Sequence, residues 1–314
     1  MQLNYFLLSA SLLSCAGAQP SLTTPALGYV YDAGSHAIRP VRGIPGAAIL
    51  GKGIRIGFVP TTAAIAPLQN YAIAVSDRGL RLIRWDAGSP AATAIDGAIA
   101  SPDQVVFSPS GSAAILYDGA SSRMQVVSGL PDSPAIRELQ SAGPAIALAI
   151  ADDTTVVRVT ADGAQAITAD RNTLPLPLPG DVALLSFNRS NDDLLALTKS
   201  GDLYLATNVG ANFASRRIYA GDSQTSGPIG VRFSPDASAA FVVNQSGSIA
   251  TIDLNSGSAS VLSCQCTPST LEPFGQTGLF RINDISNRPL LLFDGTPNQN
   301  RVWFVPAETP RSVQ

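Results

Sequence analysis

Residues 227–263 read GPIGVRFSPDASAAFVVNQSGSIATIDLNSGSASVLS, and the order of strand and turn signals in them decides the fold. Residues 229–233 form a short apolar run that stops at Ser234-Pro235-Asp236, three turn formers in succession. Ala239–Asn244 is a second run, followed by Ser246-Gly247, where glycine accepts the positive φ of a tight hairpin. Residues 249–254 make the third run and Ala259–Ser263 the fourth. Four short strands joined by tight turns form one antiparallel sheet that cannot bury its own faces, so it is stable only when copies of it pack together.

The copies are present. Asp77-Arg78-Gly79, Asp118-Gly119, Asp162-Gly163, Ser200-Gly201-Asp202, Ser246-Gly247 and Ser286-Asn287 each separate two strand-like runs, at a mean interval of about 42 residues. A second marker follows each turn by about seven residues, where an apolar strand ends in an apolar–Asp pair. Trp85-Asp86, Ile252-Asp253 and Phe293-Asp294 show it clearly; Ser128, Asp170 and Asn208 mark the weaker copies. Both markers have the same mean interval. They predict an all-β chain folded as a β-propeller of six to seven four-stranded blades. Six copies are complete, at roughly 44–100, 101–142, 143–180, 181–226, 227–268 and 269–308. Ahead of them, 27–42 (LGYVYDAGSHAIRPVR) reads as the last two strands of a blade, with Tyr31-Asp32 as its apolar–Asp pair. The ring is expected to close by N-terminal strands pairing with the C-terminal blade, whose strand 301–306 (RVWFVP) is the natural partner. A mixed seventh blade and a clasp on the sixth both satisfy these residues.

The copy from Val105, VVFSPSGSAAILYDGASSRMQVVSGL, repeats the order of 227–263. With FSPD…AFVVNQSG…ATIDLNSG, it resembles the YVTN-type repeat of bacterial lactonase-like β-propellers and, more distantly, the WD40 repeat. By spacing the resemblance covers 44–308. It implies the architecture strongly and the function weakly, because propellers host many functions.

Pro175, Pro177 and Pro179 in LPLPLPG (174–180) remove amide donors from one side of a strand. An outermost strand with one edge facing water tolerates that, and the repeat register places this segment outermost in its blade. A polyproline linker between two domains is the alternative.

Composition narrows the function classes. Only 14% of residues are charged, with three Glu (Glu138, Glu272, Glu308) and two Lys (Lys52, Lys199), so long exposed helices are not expected. A net charge of −3 gives no electrostatic footprint for nucleic acid. No segment outside the N-terminus approaches the apolar length of a membrane span. The single histidine, His36, sits in a turn, where one imidazole supports neither a His-rich metal site nor an obvious triad. Asp152-Asp153 and Asp192-Asp193 fall where the first two strands of a blade join and lack EF-hand spacing, so they read as turn residues. Asn188-Arg189-Ser190 and Asn244-Gln245-Ser246 match the glycosylation sequon weakly. Arg216-Arg217 stands out because arginine is the only plentiful cation, and an arginine-lined channel would suit an anionic ligand. No catalytic constellation, metal site or cofactor motif emerges.

Cys264-Gln265-Cys266 is the unusual feature. A bend before Pro268 would bring the two thiols into disulfide range; free thiols and a metal or redox site are the alternatives. Two function classes follow. One is a non-catalytic, monomeric scaffold that binds a partner protein or a saccharide; the other is a lactonase-like or other hydrolase working in the central channel. The poverty in Glu and His weighs against the second.

The first 18 residues read as a signal peptide, with an apolar run around residues 6–13 and the small-x-small pattern Ala16-Gly17-Ala18, although no basic residue precedes Arg39. A leader (19–26), the propeller (27–308) and a tail (309–314) would follow, in the periplasm or outside the cell. Leu12-Leu13-Ser14-Cys15 also resembles a lipobox, in which lipidation of Cys15 would anchor the chain to a membrane; an unprocessed N-terminus is the third reading. Mass spectrometry of the mature protein is expected to find Gln19 at the N-terminus, and a lipid-modified Cys15 there would replace secretion with anchoring.

Overall fold

A computed structural model of the chain describes residues 26–85, 90–140, 143–190, 192–275, 278–285, 289–297 and 300–306. Residues 1–18, read from sequence as a signal peptide, Cys15, the tail, Asp86 and the pair Ser286-Asn287 lie outside them. Every regular element among the described residues is a β-strand. The strands form seven antiparallel sheets, the first of three strands (26–50) and six of four (62–94, 104–139, 147–176, 182–219, 228–263 and 272–305). In each four-stranded sheet the strands pair in chain order. The chain is a seven-bladed β-propeller: the first strands of blades 2–7 line a central cavity, and the fourth strands form the rim.

Blade 6 follows its sequence closely, with strands Pro228–Phe233, Ala239–Asn244, Ser248–Asp253 and Ala259–Ser263. The FSP motif works through its serine. The Ser234 amide donates to the Ala239 carbonyl across the first hairpin, and its Oγ accepts from the Ala239 amide in return. Ser108 does the same with Ala113 in blade 3. In blade 6 Asp236 finishes the turn by accepting from Ser234 and Ser238. Blade 3 has Ser110 at that position, and Asp152 of blade 4 supplies the carboxylate, accepting from the Ser110 amide at 3.0 Å and its hydroxyl at 2.7 Å. The apolar–Asp marker has a similar cause: Asp253 accepts from the amides of Asn255 and Ser256, and Asp294 from that of Thr296.

Neighbouring blades cover both faces of each sheet. Second strands such as Tyr71–Ser76, Val156–Thr160 and Leu194–Thr198 are therefore buried at every position and are mostly apolar, with Arg158 the charged exception among these three. Outer strands are exposed. Thr173–Leu176 is the outer strand of blade 4, as the register predicted for this segment, and carries Pro175; Pro177 and Pro179 lie past its end and not within it. Seven apolar clusters each join two adjacent blades, including one between blades 1 and 7. An open row of seven sheets would have six such seams, so the ring is closed.

The closure corrects the reading of the N-terminus. The Tyr29 amide donates to Gln69 Oε1, beyond the end of the blade 2 inner strand Thr62–Ile65. The Tyr31 hydroxyl donates to the Thr61 carbonyl at that strand's start. Ala26–Asp32 thus runs antiparallel to the neighbouring inner strand. By direction, Ala26–Asp32, Ala37–Ile44 and Ala47–Leu50 are the second, third and fourth strands of a blade, not its last two, and 47–50 belongs to this blade and not to the next. The N-terminal strands meet the C-terminal blade as a separate sheet. Asp32 forms a parallel bridge with Ile285, and the Leu50 amide donates to the Pro306 carbonyl at 2.8 Å. Gly28 lets the Phe274 ring pack against the first strand: a Cβ there would lie 2.5 Å from that ring.

Asp32 holds the end of this seam. It accepts from the Ser35 hydroxyl at 2.8 Å, from Arg39 at 2.9 Å and from the amides of Gly34 and Ser35. Arg39 also donates to the carbonyls of Gly51 and Leu50, which ties down the outer strand. Burial works against the carboxylate, but the hydrogen bonds, led by that from Ser35 and then that from Arg39, outweigh it and hold the carboxyl below its ordinary value.

Phe274→Ala, which empties the centre of the closing seam, is expected to cost about 3–5 kcal/mol in urea unfolding. Phe304→Ala, at an exposed position of the last strand, should stay within about 0.5 kcal/mol of the parent; equal losses would contradict a seam-dependent closure. Asp32→Asn is expected to cost about 1–3 kcal/mol at neutral pH. Because the folded-state value is lowered, that contribution is complete above the ordinary Asp range and disappears as pH falls through the folded value. The deficit of Asp32→Asn against the parent should therefore shrink below about pH 4, and a pH-independent deficit would count against it.

Candidate functional site

The first strands of blades 2–7 stand around a central cavity of about 830 Å³. Among the described residues blade 1 has no strand inside Ala26–Asp32, and Tyr29 and Tyr31 line the cavity there. Tyr29 packs on Trp85 with ring centroids 4.4 Å apart, and the Trp85 indole donates to the Gln69 carbonyl. Burial pushes both phenols up; the nearby Arg42 partly offsets this for Tyr29, and the Asp32 charge adds to it for Tyr31. Both therefore stay neutral at physiological pH and offer a ring face and a hydroxyl.

The wall is two-sided. Blades 2–4 contribute mainly apolar groups, among them Ile65, Val106, Phe107 and Leu148, with Ile146 half exposed. Blades 5–7 contribute all five ionisable aliphatic side chains of the lining: Arg189, Arg232, Glu272, Arg281 and Asp284. Arg232 donates to Glu272 at 3.1 Å, from the inner strand of blade 6 to that of blade 7. Glu272 faces Arg281 across the blade 7 strand pair, and Arg281 is paired with Asp284, which also accepts from the Ser269 hydroxyl at 3.0 Å. Arg189 is exposed just past the end of the blade 5 inner strand. Among the described residues, three guanidiniums against two carboxylates give this side one excess positive charge.

Sequence reasoning did not single out this cluster, although a signal existed. Aligning VRFSP with VVFSP puts Arg232 where the other copy has Val106, a charge at a position the repeat keeps apolar. The arginines that did stand out lie elsewhere. Arg216 and Arg217 are on the outer strand of blade 5, where Arg216 donates to the Leu254 carbonyl of blade 6 and Arg217 pairs with Asp202.

The other candidates are placed as follows. His36 is exposed in the first hairpin at φ 49°, its Nδ1 3.2 Å from the Tyr31 hydroxyl. Asp153 caps its own turn through the Thr155 amide. Burial, with the charges of Asp153 and Asp193 adding to it, pushes the Asp192 carboxyl up. Among the described residues no cluster of three or more His, Cys, Asp or Glu could hold a metal ion, and no helix is long and apolar enough to cross a membrane. Both sequon asparagines are buried, and Asn244 spends its side chain on the Gln224 carbonyl and the amides of Ser246 and Ser248. Cys264 and Cys266 lie with Cα atoms 5.1 Å apart and their sulfurs joined, on the loop from blade 6 to blade 7.

No family model matches the chain, and no curated protein matches it. Solved structures do share its fold. A functionally unknown protein from Desulfotomaculum acetoxidans superposes with a TM-score of 0.58 at 15% identity, over 90% of this chain and all of the other. PorZ, a bacterial surface component of the type-IX secretion system of Porphyromonas gingivalis, gives 0.58 at 12% identity over 91% of this chain, which spans 38% of PorZ. Virginiamycin B lyase from Staphylococcus aureus gives 0.55 at 13% identity, over 79% of this chain and 84% of the enzyme. At these identities the likeness is one of fold alone.

Proposed function

We propose that this chain is an exported propeller of the YVTN repeat type that acts as a non-catalytic binding scaffold, with the central channel as its ligand site. The observation that carries the reading is the two-sided wall: an arginine-bearing arc on blades 5–7 faces an apolar arc on blades 2–4, with two tyrosines between them. A saccharide that bears carboxylates suits this surface better than a neutral one. Its ring faces pack on Tyr29 and Tyr31, and its carboxylate competes with Glu272 and Asp284 for the guanidiniums of Arg232 and Arg281, a bidentate geometry that arginine favours. The carboxylates present are held in ion pairs with arginine, an arrangement that suits binding more than general acid–base chemistry. Export is supported by the apolar N-terminal run and its small-x-small pattern.

Calorimetric titration with uronic-acid oligosaccharides and with neutral oligosaccharides of the same length tests the reading. Binding of the acidic series is expected to weaken with salt and to fall about tenfold or more in Arg232→Ala. If neither series binds, or if an oligosaccharide is chemically converted, the reading fails; capture of a protein partner on the flat faces would replace it.

A further inference from the structure

We propose that Cys264–Cys266 is a thiol–disulfide exchange site and not a structural staple. The bond closes a loop with one residue between its ends, so it restrains the unfolded chain less than almost any other spacing. Gln265 between them lies at φ 48°, in the left-handed region, which residues other than glycine adopt at a cost; Gln69 and Arg171 accept that cost elsewhere in the chain, and opening the bond leaves Gln265 free to relax from it. The bond therefore adds little to the stability of the fold and spans a backbone cost that the dithiol need not keep, which suits an exchangeable pair.

The surroundings allow the bond to open without loss of fold. The Cys264 amide donates to the Gly247 carbonyl on the blade 6 hairpin, and the Ser269 amide to the Ile282 carbonyl of blade 7, so hydrogen bonds hold the loop on both sides of the pair. Gly247 makes room for it: a Cβ there would lie 2.6 Å from the Cys266 carbonyl and 3.2 Å from the Cys264 sulfur. The two cysteines pack with one side against the apolar cluster between blades 6 and 7 and remain partly exposed, while Gln265 between them is exposed. The pair therefore sits on the disc surface, reachable by another protein.

The exchange partner is a dithiol. One of its thiolates attacks a sulfur of the pair, the Cys264–Cys266 bond breaks, and the displaced sulfur leaves with the bonding electrons and takes up a proton. The second thiol of the partner then attacks the mixed disulfide and releases the other cysteine. The partner loses two electrons and two protons to become a disulfide, and the chain gains both as two thiols.

The test starts from air-oxidised native protein, equilibrated with glutathione buffers of graded ratio, alkylated and weighed. Millimolar reduced glutathione is expected to open the bond, adding two alkyl groups, with the circular dichroism spectrum and melting midpoint unchanged. A bond that resists glutathione, or opens only as the protein unfolds, overturns the proposal. Gln265→Gly, which removes the left-handed cost, is expected to shift the equilibrium toward the disulfide by about fivefold; no shift, or the opposite one, overturns it as well. The parent should oxidise a reduced dithiol peptide, and Cys264→Ser with Cys266→Ser should not. Equal rates for the two would assign the oxidation to air.

Discussion

A ring of seven sheets needs seven seams, and chain connectivity supplies only six of them. The seventh joins the two ends of the chain and has to be made by contacts alone. Here it is an apolar cluster in which Val30, Val41, Ala48 and Leu50 of blade 1 meet Phe274, Leu279, Leu290, Leu292 and Val305 of blade 7. Many propellers close by sharing a sheet between their two ends; here blades 1 and 7 remain separate sheets. The backbone link among the described residues is small by comparison: one parallel bridge at Asp32 and one hydrogen bond from Leu50. Burial of apolar surface, which is roughly proportional to area, must therefore supply most of the closing free energy. The polar groups around Asp32 and Arg39 fix where the end strands lie.

Packing on both faces sorts residues by radius. Second strands are sealed between neighbours and hold mostly apolar groups; the buried Arg158 donates from its Nη atoms to the Gln140 carbonyl and to Gln165, while its Nε finds no partner among the described residues. Outer strands face water and can carry Pro175 or the Arg216-Arg217 pair. Outer-strand arginines also link blades: Arg137 donates to the carbonyls of Thr154 and Thr168 in blade 4, as Arg216 does to Leu254 in blade 6. Ionisable side chains are thereby left two main places to act, the central cavity and the loops on the faces of the disc.

This sorting explains what was legible in the sequence. The strands of blade 6 fell within a residue or two of their place because each of its turns is made by local chemistry, as at Ser234, Asp236 and Gly247. The N-terminal hairpin misled for the same reason. Asp32 accepting from Gly34 and Ser35 is chemically the same turn as Asp253 accepting from Asn255 and Ser256, yet the first ends a second strand and the second ends a third. A local turn does not encode which hairpin of the blade it serves; only the period does. Counted back one interval from Gly79, the repeat lands on the turn at His36, which would have identified 27–42 as second and third strands. The channel cluster was harder to see, because Arg281 and Asp284 reach the cavity from outside the inner strand, in the blade where the repeat is most degraded.

That degradation bears on function. Among the described residues blade 7 has the shortest strands of the ring, Glu272–Pro273 and Leu279–Arg281, and blade 1 has no strand inside Ala26–Asp32. These two irregular blades stand side by side, and together they supply Tyr29, Tyr31, Glu272, Arg281 and Asp284 to the cavity wall. Blades 2–4 keep regular inner strands and present a mainly apolar wall. A sequence that satisfies its fold at most positions and departs from it in one sector is expected to carry its site in that sector. The regular blades supply rigidity that holds the wall in place before any ligand arrives, which lowers the ordering cost of binding. The departures at the closure supply the chemical variety that a uniform repeat, by its nature, lacks.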